Sequence, residues 1–167
     1  MNSRDLIVPE IPRLRRYARA LTGRPDAADD LVQDTLERAL EKWQFWQRER
    51  DLRPWLFSIM HNLHVDTCRR EGRIEYCDDD ALPHVVQRPD QEDALHLRDL
   101  DRALALLPLD QREVILLVGL EELSYAEVAA ALSVPQGTVM SRLSRARARL
   151  KSILAGEAVP QLKIVKS

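Results

Sequence analysis

Glycine is scarce in this chain, at 5 of 167 residues, and aromatic side chains make up only 5%. So little of either argues against an all-β architecture, which needs glycine at its tight turns and aromatic residues in its strands. Cysteine is limited to Cys68 and Cys77, one possible pair, which excludes a disulfide framework. No apolar run approaches the ~18 residues that span a bilayer, and the start MNSRDLIVPEIPRLRR lacks a signal-peptide core. The expectation is a cytoplasmic protein without a membrane partner. Charge of one sign is lacking too: the formal net charge is −2 and the pI about 6.1, so any nucleic-acid binding must use local patches. What remains is 45% hydrophobic and 31% charged, a globular balance rich in Leu, Ala, Arg and Glu, which favour helices. The fold class expected is all-α.

Helical spacing runs along most of the chain. Ile11, Leu14, Ala18 and Leu21 recur at steps of three and four before Gly23, Arg24 and Pro25 break the pattern. Asp26 is placed to cap the next helix, with Asp29 and Asp30 near its positive end. That helix puts Val32, Leu36, Ala39, Leu40 and Trp43 on one face and runs to about Trp46. After the polar connection QRERDLRP, Pro54 suits an early helical position, and Leu56, Ile59, Met60 and Leu63 give a stripe that ends near Gly72.

The character then changes. Glu71, Glu75, Asp78, Asp79, Asp80, Asp90, Glu92 and Asp93 crowd a stretch with Pro83 and Pro89 and no apolar period. Residues 73–92 read as an acidic flexible linker between a domain at 1–72 and a second at 93–155, with a frayed tail at 156–167. In the second domain Leu97, Leu100, Leu104 and Leu107 mark a helix stopped by Pro108, and Val114, Leu117 and Val118 mark another. Ser124 and Glu127 form a capping-box pattern that opens a short third helix.

The break Ser133-Val134-Pro135 leads into QGTVMSRLSRARARL, a segment with Arg142, Arg145, Arg147 and Arg149 and no acidic residue. A short helix, a tight break and an Arg-rich helix form the arrangement of a helix-turn-helix, whose second helix enters the DNA major groove. Val139, Leu143, Ala146 and Leu150 supply the core face. Arg142, Arg145 and Arg149 repeat on another face, where phosphates are met, and Gly137, Thr138 and Ser141 keep the leading end slim.

LSYAEVAAALSVPQGTVMSRLSRARARL resembles the −35 recognition domain of bacterial RNA polymerase sigma factors of the extracytoplasmic-function (ECF) group, within the sigma-70 family. DLVQDTLERAL and RPWLFSIMHNLHVDTCRR resemble, in the same order, the polymerase-binding and −10 recognition helices of that group. The match covers about residues 9–72 and 93–154. Two positions depart from the family pattern: Ser133 stands where the turn usually carries Gly, and Met140 where a basic residue is common.

The resemblance implies a promoter-specificity subunit with no catalysis and no cofactor of its own. It implies that Asp30, Leu31, Gln33, Asp34 and Glu37 bind core polymerase through a coiled coil of the β′ subunit, the second domain meeting the β flap. Trp55, Asn62, Asp66, Arg69 and Arg70 fall at the −10 element, where the Asn62 amide can read an unstacked base and the Gln47–Arg53 connection forms a rim. For Trp55, and for Phe57 beside it, core packing competes with base stacking. Gly137, Thr138, Met140, Ser141, Arg142, Ser144, Arg145 and Arg149 fall at the −35 element. The resemblance also implies an anti-sigma partner and an acidic linker that threads a basic channel of the polymerase, and points toward the general-stress subgroup.

Two other readings compete. A stand-alone helix-turn-helix regulator explains the basic helix but not the first two motifs. An enzyme would use His61, His64 and Cys68 with a metal, since steps of three and four place them on one helical face. Only one Cys lies on that helix, so ordinary side chains are the expectation and no metal site is assigned.

Overall fold

The computed structural model describes residues 2–46, 48–72 and 96–156, with side chains from residue 99 onward in the last stretch. Among the described residues there are helices and no strands. The acidic linker, Cys77, Arg73, the Leu97 side chain and the tail from residue 157 lie outside them.

The N-terminal domain starts with a short helix α1 (Ser3–Ile7) and a 3-10 turn at Val8–Glu10. Helix α2 (Ile11–Thr22) ends where Gly23 adopts φ 69° and donates its N–H to the Arg19 carbonyl, a left-handed stop that suits glycine. Helix α3 (Pro25–Glu41) begins with Pro25 in its first turn. Arg24, not Asp26, holds the extended N-cap position, and no side chain caps this end. Asp26 lies two positions past the N-cap, exposed in the first turn, where its charge faces the helix dipole. The helix stops at Glu41 rather than Trp46, and a 3-10 turn at Trp43–Phe45 follows. Helix α4 (Leu52–Arg70) runs to the turn at Gly72, which takes φ 65°.

Helices α2, α3 and α4 pack around Leu14, Tyr17, Ala18, Leu21, Ala28, Val32, Leu56, Phe57 and Met60, all buried. The Tyr17 and Phe57 rings meet edge-on with centroids 4.9 Å apart, so Phe57 is a core side chain and offers no surface to a base. Buried Thr35 satisfies its hydroxyl by donating to the Leu31 carbonyl at 2.7 Å. Leu40, expected on the inner face, is 46% exposed.

The C-terminal domain holds α5 (His96–Ala105), α6 (Leu109–Gly119), α7 (Tyr125–Leu132) and α8 (Gln136–Leu154). Val114, Leu117, Val128, Ala131, Val139 and Leu143 form its centre. The two domains share one continuous core: α2 lies against α5 and α6, and α4 lies against α7. A pair of tethered bodies was the sequence expectation, and the structure adds an interface between them.

Candidate promoter and polymerase interface

The helix-turn-helix is built from local chemistry. Ser124 accepts the Glu127 N–H on its hydroxyl at 3.1 Å, while the Glu127 carboxylate accepts the Ser124 N–H at 3.1 Å. That reciprocal cap sets the start of α7. The helix ends at Ser133, which takes the left-handed conformation at φ 55°, ψ 46° that glycine would adopt without strain. Pro135 is the N-cap of α8 and contributes no side-chain acceptor, which suits that end to a phosphate.

Val139, Leu143 and Ala146 are buried and clamp α8 to the domain, with Leu150 half-buried behind them. Gly137, Met140, Ser141, Ser144, Arg145 and Arg147 are exposed; Thr138, Arg142 and Arg149 are half-buried. The basic face is therefore brought together as the sequence indicated. It is not free of acid, however: Asp110 of α6 approaches Arg142, with Nε 3.9 Å from Oδ2. No linear reading of the segment could supply that counter-charge, because it arrives from another helix.

On α4, Asn62, Asp66, Arg69 and Arg70 are exposed; Asp66 follows Asn62 by four, and Arg69 and Arg70 follow Asp66 by three and four, so the solvent-facing stripe is continuous. Arg69 and Arg70 close the helix, where the dipole favours cations. Trp55 is half-buried among two partners the sequence reading left out: its ring centroid is 6.1 Å from that of Trp43 and 6.4 Å from that of Trp46. The three indoles make an aromatic patch beside the connection into α4, and exposed Phe45 adjoins it in sequence.

His61, His64 and Cys68 turn the other way. His61 Nδ1 contacts the Glu113 carboxylate of α6, and buried Cys68 Sγ lies 3.5 Å from His64 Nε2. Among the described residues no group of three or more His, Cys, Asp or Glu side chains is arranged to hold a metal.

On α3, Asp30, Gln33, Asp34 and Glu37 are all exposed on one stripe, and Gln33 donates to Glu37 at 3.3 Å. Leu31 departs from the expectation. It is 6% exposed, its side chain anchors α3 to the core, and it cannot present itself to a partner without unpacking.

Several residues that shape this surface were missed. Arg112 of α6 donates from Nε to the Leu104 carbonyl at 2.8 Å and from Nη2 to those of Ala105 and Leu107, closing the end of α5. Its Nη1 reaches the Leu21 carbonyl of α2 at 3.1 Å. Glu113 and Glu121 are buried, and burial pushes both carboxyls above their ordinary range despite the basic groups beside them. The available signal for Glu113 was its position three and four residues before Leu116 and Leu117, an acid on an apolar helix face.

A helical pair of domains, one with an exposed acidic stripe and a polar helix ending in arginines, the other with a basic helix-turn-helix, has the layout of a DNA-binding protein. Comparison with known proteins gives the family. Residues 7–61 match the model described as the Sigma2 domain of PhyR, and residues 97–150 match Sigma-70, region 4. The chain is 40% identical over 152 residues to the ECF RNA polymerase sigma factor EcfG of Rhodopseudomonas palustris, covering 90% of this chain and 84% of that protein.

Among solved structures it is similar to the sigma factor RpoE in complex with the anti-sigma factor NepR from Bartonella quintana. That match has a TM-score of 0.73 and 36% identity, over 89% of this chain and 94% of that one. CnrH in complex with the cytosolic domain of CnrY matches with a TM-score of 0.69 and 28% identity, over 92% and 88%. The chain belongs to the ECF sigma factors of the sigma-70 family. It is a transcription initiation factor that acts with RNA polymerase, not an enzyme.

Proposed function

We propose that the exposed acids of α3, Asp30, Asp34 and Glu37 with Gln33 between them, dock on the β′ coiled coil of core polymerase. Leu31 supports that stripe from beneath. Carboxylates on one helical face offer charge-assisted acceptors to the Arg and Lys of a partner helix, which steers encounter and fixes register. The C-terminal domain meets the β flap, and the complex works in the cytoplasm.

Promoter reading divides between the domains. Asn62 with Asp66, Arg69 and Arg70 faces the −10 element, and the aromatic patch around Trp55 supports the connection that borders it. The leading turns of α8, from Gly137 through Arg149, face the −35 element. The observation that carries this reading is that every polar residue assigned to α3 and α4 is exposed, while the histidines and cysteine of α4 turn inward. Two modest DNA contacts on one chain act together through raised effective concentration.

RpoE was solved with the anti-sigma factor NepR and CnrH with the cytosolic domain of CnrY, and we extend an anti-sigma partner to this chain. The test is transcription with purified core polymerase on a library of randomised promoters. An enriched pair of elements, lost in an Asn62→Ala variant at the upstream edge of the bubble and in an Arg145→Ala variant at −35, supports the assignment. Duplex DNA binding by the chain alone, with no polymerase requirement, favours an ordinary regulator.

A further inference from the structure

The stretch from Ile11 to Pro25 carries five arginines and no acidic residue, in a chain whose formal net charge is −2. The promoter assignment absorbs the arginines of α8 but leaves these of α2 without a role. Arg16 meets Glu121 and Arg24 lies 4.0 Å from Asp26. Arg15 and Arg19 are exposed one turn apart on one face of α2, and neither forms an ion pair among the described residues. The same holds for exposed Arg102 of α5.

These side chains edge a groove of about 1210 Å³ that follows α2 from Ile11 and Pro12 to Arg24 and Pro25. At ~1.5 Å per residue the helix beneath it is about 18 Å long. The opposite wall is made by Leu100, Leu104, Ile115, Leu116, Leu120 and Leu150, from α5, α6 with its C-cap, and α8. Leu100, Ile115, Leu120 and Leu150 are only half-buried, so the groove keeps aliphatic surface in water. The rest of the lining is alanine, glycine and proline, apart from the five arginines and Asp101. No aromatic, hydroxyl, amide or imidazole side chain lines it among the described residues.

That lining selects its ligand by chemistry. A nucleotide base is held by aromatic stacking or by polar groups along its edge, and the groove supplies neither. A bare phosphate would leave the leucines uncovered. A series of carboxylates along a peptide would need free cations along the whole groove. The unpaired ones are instead Arg15 and Arg19, about 6 Å apart, with Arg102 on the other wall. One anionic head with a long aliphatic body matches both features. Guanidinium takes a carboxylate with two parallel hydrogen bonds, and the arginine stems add apolar cover over the chain.

We propose that this groove is a binding site for a long-chain fatty acid, with its carboxylate on Arg15 and Arg19, Arg102 opposite, and its chain on the leucine wall. The site is separate from the docking and promoter assignments and does not rest on them.

The test is titration of the full chain with a dansyl-labelled undecanoate, followed by displacement with oleate below its micelle concentration. The wild type is expected to give saturable fluorescence that oleate displaces at about micromolar concentration. An Arg15→Glu/Arg19→Glu variant should bind at least 10-fold more weakly, and oleyl alcohol should displace at least 10-fold less well than oleate. Ala20→Phe keeps every charge and fills the groove from the α2 side, so it should weaken binding as well. Circular dichroism checks that each variant keeps its helix content. Absence of saturable binding by the wild type overturns the proposal. Equal affinity of the wild type and both folded variants overturns it too, by placing the acid elsewhere. Displacement by pyrophosphate or ATP as effective as by oleate replaces it with a phosphate site. Displacement by an acidic amphipathic peptide that oleate cannot match replaces it with a partner helix.

Discussion

Arg16 and Glu121 stand 105 positions apart in the chain, yet the guanidinium of the first meets both carboxylate oxygens of the second at 3.2 Å. The pair joins α2 of the N-terminal domain to the turn before the helix-turn-helix. Its asymmetry matters: Arg16 is half in water and Glu121 wholly buried. Removing the arginine therefore leaves a buried carboxylate with only Arg13 and Arg53 to offset it. Arg16→Ala should cost about 1–2 kcal/mol, a lower figure than for a fully buried pair because water screens the arginine side. Thermal unfolding checks this, with a fall of roughly 2–6 °C in midpoint.

Acidity should favour the fold at the two buried carboxyls between the domains. Glu113 is raised above the ordinary carboxylate value of 4.5, first by burial and also by Asp110, against lowering by His61 and Arg142. Tyr17 of α2 also faces it. Glu121 is raised likewise, first by burial, against lowering by Arg16, Arg13 and Arg53. A carboxyl with a higher pKa in the folded chain holds its proton more tightly there. Its favourable contribution is complete below the ordinary value and is lost as pH rises through the raised one. Between about pH 5 and about pH 8, a Glu113→Gln variant should lose less thermal stability than the wild type. Equal pH dependence of the two would contradict the assignment.

Ser133 gives a backbone prediction. At φ 55° a β-branched side chain is crowded and glycine is not. Ser133→Val should destabilise by about 1–2 kcal/mol, and Ser133→Gly should stabilise by up to about 1 kcal/mol. Denaturant unfolding of both variants measures the order; Val equal to or above Gly would remove the strain argument.

The cap at the other end of α7 predicts non-additivity. Ser124→Ala and Glu127→Ala should each cost about 1 kcal/mol, and the double variant less than their sum, because each side chain serves the other's backbone amide. A double-mutant cycle on thermal stability reads the coupling.

Met140 is 53% exposed on α8, among the residues proposed to face the −35 element. Met140→Arg should add one phosphate contact to the holoenzyme–promoter complex and steepen the log–log salt dependence of binding by about 0.9. An unchanged slope would place this position away from the backbone.

How far the sequence could be read follows from the range of each interaction. Gly23, the Ser124–Glu127 box and Pro135 act on amides a few residues away, so the helix ends they set were visible in the linear chain. Exposure of Asp30, Asp34, Asn62 and Arg145 followed from helical period. Leu31 shares their segment, and its single position inside the period decides that it faces the core. Asp26 was misread because capping depends on the backbone of Arg24 and Pro25, a shift of two residues that composition does not settle. The contacts between the domains escaped altogether. Arg16 and Glu113 look like ordinary surface charges until the fold brings their partners from the other domain.

The central claim is that α3 docks this sigma factor on polymerase. It is tested most directly by titrating labelled chain into bacterial core RNA polymerase beside an Asp30→Lys/Asp34→Lys variant. Both positions are exposed, so the fold should survive the change. The account predicts tight binding by the wild type and a loss of about 100-fold or more in the variant, in line with reversed charges at a register-fixing interface. Equal binding by the two would contradict it.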